Sequence, residues 1–235
     1  MTKRKRKRVT RGGTRRSSRR RTQRPDLQTY GLIAGMVVVA VVVIVLVVSL
    51  TRGRSPAPTP AELAGQSLGS ADAPVVVVEY ADYQCPYCRQ FYEGPEQQLV
   101  TDYVDTDQVR LVFRNLAFIG QESIRAAEAA ECAGDQDQFW AYHDLLFQKQ
   151  GAENSGVYSQ ANLEQYAASL GLDTTQFHQC LSSGRYLSLV QQQSAEAQRM
   201  GVSSTPTLLV DGQVVQNGSR YPVLQAAIEA ALKGQ

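Results

Sequence analysis

Cys85 and Cys88 stand two residues apart, separated by Pro86-Tyr87. They follow the apolar run Val75 to Tyr80, which reads as a buried strand. They open a segment in which Cys88, Phe91, Tyr92, Pro95, Leu99 and Tyr103 recur at helical spacing. A Cys-x-x-Cys pair at the start of a helix suits reversible dithiol–disulfide chemistry. The helix N-terminus presents unpaired N–H groups and the positive end of the dipole, which favour a thiolate over a thiol. The first cysteine is the one so activated, and the thiolate is the species that attacks a disulfide.

The same spacing occurs in zinc sites, but those need a second ligand pair, and the chain has no other CxxC and no HxxxH. Cys132 and Cys180 are single, distant and set in apolar helical stripes. They read either as two buried free thiols or, in an oxidising compartment with an even cysteine count, as a structural disulfide. Strand alternation puts Glu79 on the same face as Val75 and Val77, an odd place for a charge. It is either an acid at a strand end reaching solvent or a buried carboxylate beneath the cysteine pair. His143 and His178 are isolated on amphipathic segments and read as core or surface filling. No Ser–His–acid set, glycine-rich phosphate loop or paired-carboxylate site stands out. Neither a metal nor a separate cofactor is expected, the cysteine pair being the redox centre.

The elements that must position these residues occupy only part of the 235-residue chain. Residues 1–24 carry thirteen Lys and Arg and no acid, and residues 1–30 read as a basic cytoplasmic tail. Leu32 to Leu50 holds no charged residue and is nearly half valine; at about 1.5 Å per residue it comes close to a hydrocarbon core of ~30 Å. Residues 31–50 therefore read as a single transmembrane anchor. Thr51-Arg52-Gly53-Arg54 follows it, not a small-residue cleavage site, which favours an uncleaved anchor over a signal peptide. The positive-inside rule puts the N-terminus in the cytoplasm and everything after Leu50 outside the cell membrane. Residues 51–65, with Pro56, Pro58 and Pro60, read as a Pro-rich linker. Residues 66–235 form one domain. From residue 61 onward there are nine basic and 21 acidic residues, a net charge of −12. Such a domain is a poor nucleic-acid binder, and the basic tail suits topology and contact with anionic lipid.

Within the domain a second strand is expected at Val109–Phe113. Helical stripes follow at Phe139, Trp140, His143, Leu146 and Phe147, then at Leu163 to Leu170. Another begins at Asp173, a good N-cap, and carries Phe177, Cys180 and Leu181. Arg185 to Met200 is a further helix. Thr207–Val210, Asp211-Gly212 and Gln213–Val215 read as a tight hairpin, and Tyr221 to Leu232 as a closing helix. Strand–helix–strand, a helical block, then helix–strand–strand–helix is an α/β, thioredoxin-like order with a helical insertion at about residues 118–183. Three stretches resemble bacterial DsbA-like thiol–disulfide oxidoreductases: Ala71 to Cys88; Glu131-Cys132-Ala133 with Phe139-Trp140 and His143 to Phe147; and Gly201 to Thr207.

The resemblance implies that Cys85 attacks and Cys88 resolves. It implies a cis peptide at Thr205-Pro206 packed against the cysteine pair, with the Thr205 hydroxyl near the sulfur of Cys85. It also favours Glu79 as a proton relay to Cys88. The implied activity is extracytoplasmic disulfide introduction or exchange in exported, cysteine-containing proteins, with a quinone-linked reoxidant in the bilayer. The alternatives are a reductase or isomerase of the same fold, and a membrane-tethered binding module whose CxxC is only structural.

Overall fold

The computed structural model describes residues 66–234 and five earlier positions, Met36, Val38, Ala40, Val41 and Val42, which are helical. Among the described residues no helix is long and apolar enough to cross a membrane. The basic tail, most of the 31–50 anchor and the linker lie outside the described residues.

Five strands make one mixed sheet: β1 (Ser67–Leu68), β2 (Val75–Ala81), β3 (Val109–Asn115), β4 (Thr207–Val210) and β5 (Gln213–Val214), in the order β1-β3-β2-β4-β5. β2 and β3 run parallel, with Val75 opposite Val109. β1, β4 and β5 pair antiparallel with their neighbours. Seven consecutive residues of β2 are buried or nearly so, as a central strand covered on both faces requires. Asp211 (φ 45°) and Gly212 (φ 76°) both take the left-handed conformation, which a two-residue turn between β4 and β5 needs. β1 was not foreseen; only two residues long, it carries too little pattern to be read.

The active helix is not uniform. α1 (Pro86–Phe91) passes into a π-helical turn at Tyr92–Glu96, then α2 (Gln97–Leu99), then a second π-helical turn at Val100–Val104. Pro95 lies inside the first wide turn. It has no N–H to donate, so a widened turn accommodates it where a regular helix would lose a bond and meet the ring.

Strand alternation sorts the core. Val75, Val77, Leu111, Leu208 and Val210 pack with Phe91, Leu99 and Tyr103 and with Leu224 and Ile228 of α8 (Tyr221–Lys233). Val78, Tyr80, Val112 and Leu209 pack on the other face with Ala197 of α7 (Leu187–Arg199). The helical block comprises α3 (Gln121–Gly134), α4 (Phe139–Lys149), α5 (Gln160–Ser169) and α6 (Thr174–Ser182). Asp173 caps α6, its carboxylate accepting the N–H groups of Thr175 and Gln176 at 2.8 and 3.0 Å. The block has its own apolar core, which also takes in Ala81, Cys85, Cys88 and Phe113. The cysteine pair thus lies where the sheet meets the insertion.

Candidate active site

Cys85 is the N-cap of α1, in extended backbone, and Pro86 holds the first helical position. That position has no intrahelical use for an N–H, so proline costs nothing there. The carbonyl of Cys85 accepts from the N–H groups of Cys88 (3.1 Å) and Arg89 (3.2 Å).

Three clamps fix the loop before the helix. The buried carboxylate of Asp82 accepts from Gln84 N (2.8 Å) through one oxygen. Its other oxygen accepts from Phe118 N (2.9 Å) and Ile119 N (3.1 Å), which ties the cysteine loop to the segment after β3. From the insertion, Gln150 Nε2 donates to the carbonyls of Tyr83 (2.6 Å) and Cys85 (3.1 Å). Tyr158 Oη donates to Tyr83 O at 3.1 Å and to Leu146 O at 2.8 Å. Gln84 is held in turn by Ser123 and Asn154. None of these clamping residues was singled out from the sequence. Asp82 alone carried a signal, an Asx-type acid two residues before a backbone N–H it accepts.

Cys85 and Cys88 are both free thiols in this state. Cys85 is 5 % exposed and Cys88 fully covered, while the Tyr87 side chain between them is 68 % exposed. The Cys85 thiol is lowered to about 6, first by the hydrogen bond from the Cys88 thiol. Burial opposes the shift; Thr205 and the backbone N–H groups of Cys88 and Tyr87 assist it. Cys88 moves the other way: burial, the hydrogen bond to Cys85 and the charge of Glu79 push its thiol well above the ordinary range. One sulfur is thus prepared as the thiolate and its neighbour as the proton-bearing partner.

Thr205-Pro206 is a cis peptide. Cys85 Sγ lies 3.5 Å from the carbonyl oxygen of Thr205, so the loop backbone is what meets the sulfur. The Thr205 hydroxyl is buried without a strict hydrogen bond of its own, yet lies near enough to favour the thiolate. Glu79 is 1 % exposed, which excludes the solvent-reaching alternative for this acid. It pairs in register with Phe113 and Leu208. Burial first, then the charge and hydrogen bond of Glu96 and the charge of Cys85, raise its carboxyl well above the usual range.

Cys132 of α3 and Cys180 of α6 form a disulfide that closes a separation of 48 residues. Both are buried in the core of the insertion. His178 is a surface residue paired with Glu164 at 2.8 Å. His143 is fully buried, and its imidazole does more than fill space: Nδ1 lies 3.2 Å from Tyr83 Oη and Nε2 lies 3.5 Å from Glu96 Oε1.

A family profile described as thioredoxin matches residues 62–230. Disulfide bond formation protein D of Bacillus subtilis is 33 % identical over 171 residues, which cover 72 % of this chain and 77 % of that protein. The chain belongs to the DsbA-like thiol–disulfide oxidoreductases of the thioredoxin superfamily. The oxidised crystal structure of BdbD from Bacillus subtilis superposes on this oxidoreductase with a TM-score of 0.68 at 33 % identity, covering 72 % of this chain and 94 % of that one. A second kind of relative is Na(+)/H(+) antiporter NhaA 1 of Salinispora arenicola, 38 % identical over 168 residues. This oxidoreductase spans only 24 % of that antiporter's length.

Proposed function

We propose that this oxidoreductase introduces or exchanges disulfides in exported proteins, with Cys85 and Cys88 as the reacting pair. A substrate thiolate attacks Cys85 Sγ of the Cys85–Cys88 disulfide; the S–S bond breaks and Cys88 leaves as a thiolate that takes up a proton. A second substrate thiolate then attacks the substrate sulfur of the mixed disulfide and expels the Cys85 thiolate. The substrate is oxidised by two electrons and the enzyme becomes a dithiol. Glu79 supplies the proton that Cys88 takes up, and the Thr205 backbone beside Cys85 is where an extended substrate strand pairs. No separate cofactor enters the cycle.

The observation that carries this reading is the divergence of the two thiols. Cys85 is lowered to about 6 and Cys88 is raised. A thiolate stabilised in the dithiol form makes Cys85 a good leaving group and favours the reduced enzyme. That drives oxidation of substrate over its reduction. It disfavours the purely structural CxxC of a binding module.

In this reading the apolar segment 31–50 anchors the domain on the outer side of the membrane, next to a quinone-linked reoxidant. The polybasic tail and the matching region within antiporter relatives support membrane attachment.

Trapping tests the roles. In cells, Cys88→Ser is expected to accumulate mixed disulfides with substrate proteins through Cys85, seen as adducts on non-reducing gels. Cys85→Ser is expected to accumulate none and to lose exchange activity. Absence of adducts with Cys88→Ser would refute the assignment.

A further inference from the structure

Beneath the cysteine pair, Glu79 is joined by two polar groups that the exchange itself does not use. Glu79 of β2, Glu96 at the end of the first π-helical turn and His143 of α4 are 1 %, 2 % and 0 % exposed, and they come from three separate elements. Burying two carboxylates and an imidazole together is costly unless they serve one another. Each still has an atom without a hydrogen-bond partner: Glu79 Oε1, Glu96 Oε2 and His143 Nε2. The imidazole is boxed by rings, with Phe113 at 4.8 Å and Trp140 and Phe147 at 5.0 Å between centroids. Its polar neighbours are Tyr83, 3.2 Å from Nδ1, and Glu96, 3.5 Å from Nε2. Burial keeps the Tyr83 phenol far above its ordinary range, so it remains a proton donor. Donation from Tyr83 to Nδ1 leaves the ring hydrogen on Nε2, the nitrogen 3.5 Å from Glu96 Oε1. The polarity then runs one way, from Tyr83 through His143 to Glu96, and Glu96 in turn interacts with the Glu79 carboxyl.

We propose that Glu96 and His143 are positioning residues of a buried proton store, which sets when Glu79 gives its proton to Cys88 and when it takes that proton back. The inference rests on the exchange reading above. When a thiolate opens the disulfide, the proton moves from the Glu79 carboxyl to the departing Cys88 sulfur. Glu79 becomes a carboxylate beside Glu96, and His143 Nε2 is the donor group placed to offset that second charge. In the reverse step Glu79 takes the Cys88 proton as Cys88 attacks the mixed disulfide. One proton moves between two named atoms and none is lost. Other titratable groups border the cluster. Cys85 and Cys88 act on Glu79 or respond to it, Tyr92 and Asp144 feel Glu96, and Glu131 and Tyr158 act on Tyr83.

The test uses the reduced full-length chain and an aromatic disulfide that releases a coloured thiolate, Ellman's reagent. Attack by Cys85 releases the first thiolate, and attack by Cys88 on the resulting mixed disulfide releases the second. The rate of each phase is followed against pH. Glu96→Gln removes a negative charge from beside Glu79, so the second-phase profile is expected to move down by about one pH unit or more. His143→Phe removes the offsetting donor, so the same profile is expected to move up. The first phase keeps its midpoint in both. Glu96→Asp restores the carboxylate and is expected to return the profile toward wild type. Should His143→Phe fail to fold, Tyr83→Phe, which releases Nδ1, is expected to shift the second phase in the same upward direction. Second-phase profiles that coincide with wild type, or that move the same way in the Glu96 and His143 variants, would overturn the proton store and leave the exchange reading standing. A wild-type chain with no second phase would overturn both.

Discussion

The hydrogen bond from the Cys88 thiol is the foremost cause of the low Cys85 value, so its removal gives the sharpest test of the site. A hydrogen bond to a charged acceptor contributes about 1.5–3 kcal/mol. One pKa unit corresponds to about 1.4 kcal/mol, so losing that bond raises the titration by roughly one to two units. Cys88→Ala is therefore expected to move Cys85 from about 6 to roughly 7–8, whereas Cys88→Ser, which keeps a hydroxyl donor, holds it near the starting value. Thiolate ultraviolet absorbance against pH in the single-cysteine variants measures both. Alkylation rate at one pH is a poorer gauge. At pH 7 a thiol of pKa 6 holds about thirtyfold more thiolate than one of 8.5, but its intrinsic nucleophilicity is lower by about tenfold, so only about a threefold rate difference remains. A Cys85 midpoint near 8.5 in Cys88→Ser, or equal midpoints in the serine and alanine variants, would refute the claim that the second thiol activates the first.

Replacing Cys132 and Cys180 together by alanine opens a 48-residue loop, and the chain-entropy model gives a loss of about 4 kcal/mol in unfolding free energy. Urea unfolding measures it, and exchange activity well below the unfolding transition is expected to persist. Reduced and oxidised protein are expected to differ in their pH dependence. With Cys85 at about 6 when folded and about 8.5 when unfolded, the reduced fold binds fewer protons than its unfolded chain between those values. Its stability relative to the oxidised form therefore rises with pH across that window and is lost as pH falls through 6; the difference between paired reduced and oxidised unfolding curves, compared at pH 5 and 8, shows the effect. Protease added to spheroplasts is expected to digest the domain and spare the basic tail, and a mature N-terminus beyond Leu50 would refute an uncleaved anchor.

The sheet and the helical block were legible because their signals are local. Val75 to Ala81 is apolar apart from Glu79, Asp211-Gly212 specifies a tight hairpin, and Asp173 marks a helix start. β1 was not legible, since its pairing with Val112 and Leu111 is a long-range fact that Ser67-Leu68 does not announce. The cysteine pair could be found because two sulfurs at that spacing on a strand–helix junction carry a chemical meaning of their own. Glu96 and His143 carry none in isolation. Each sits at an ordinary amphipathic position, and their meaning arises only where β2, the active helix and α4 meet. Glu79 lay between these cases: alternation flagged the anomaly, while its burial and its neighbour Glu96 are properties of the assembled core.

Gln150 and Tyr158 grip the cysteine loop by the carbonyl oxygens of residues 83 and 85, a group that every amino acid possesses. The exposed side chain at position 87 takes no part in that grip. The grip on the cysteine loop and the identity of the side chain at position 87 are therefore separable in this domain. The exposed side chain of Tyr87 can be exchanged without renegotiating a core contact, while its backbone N–H stays beside the Cys85 sulfur. A library varied at that single position should therefore leave the scaffold unchanged.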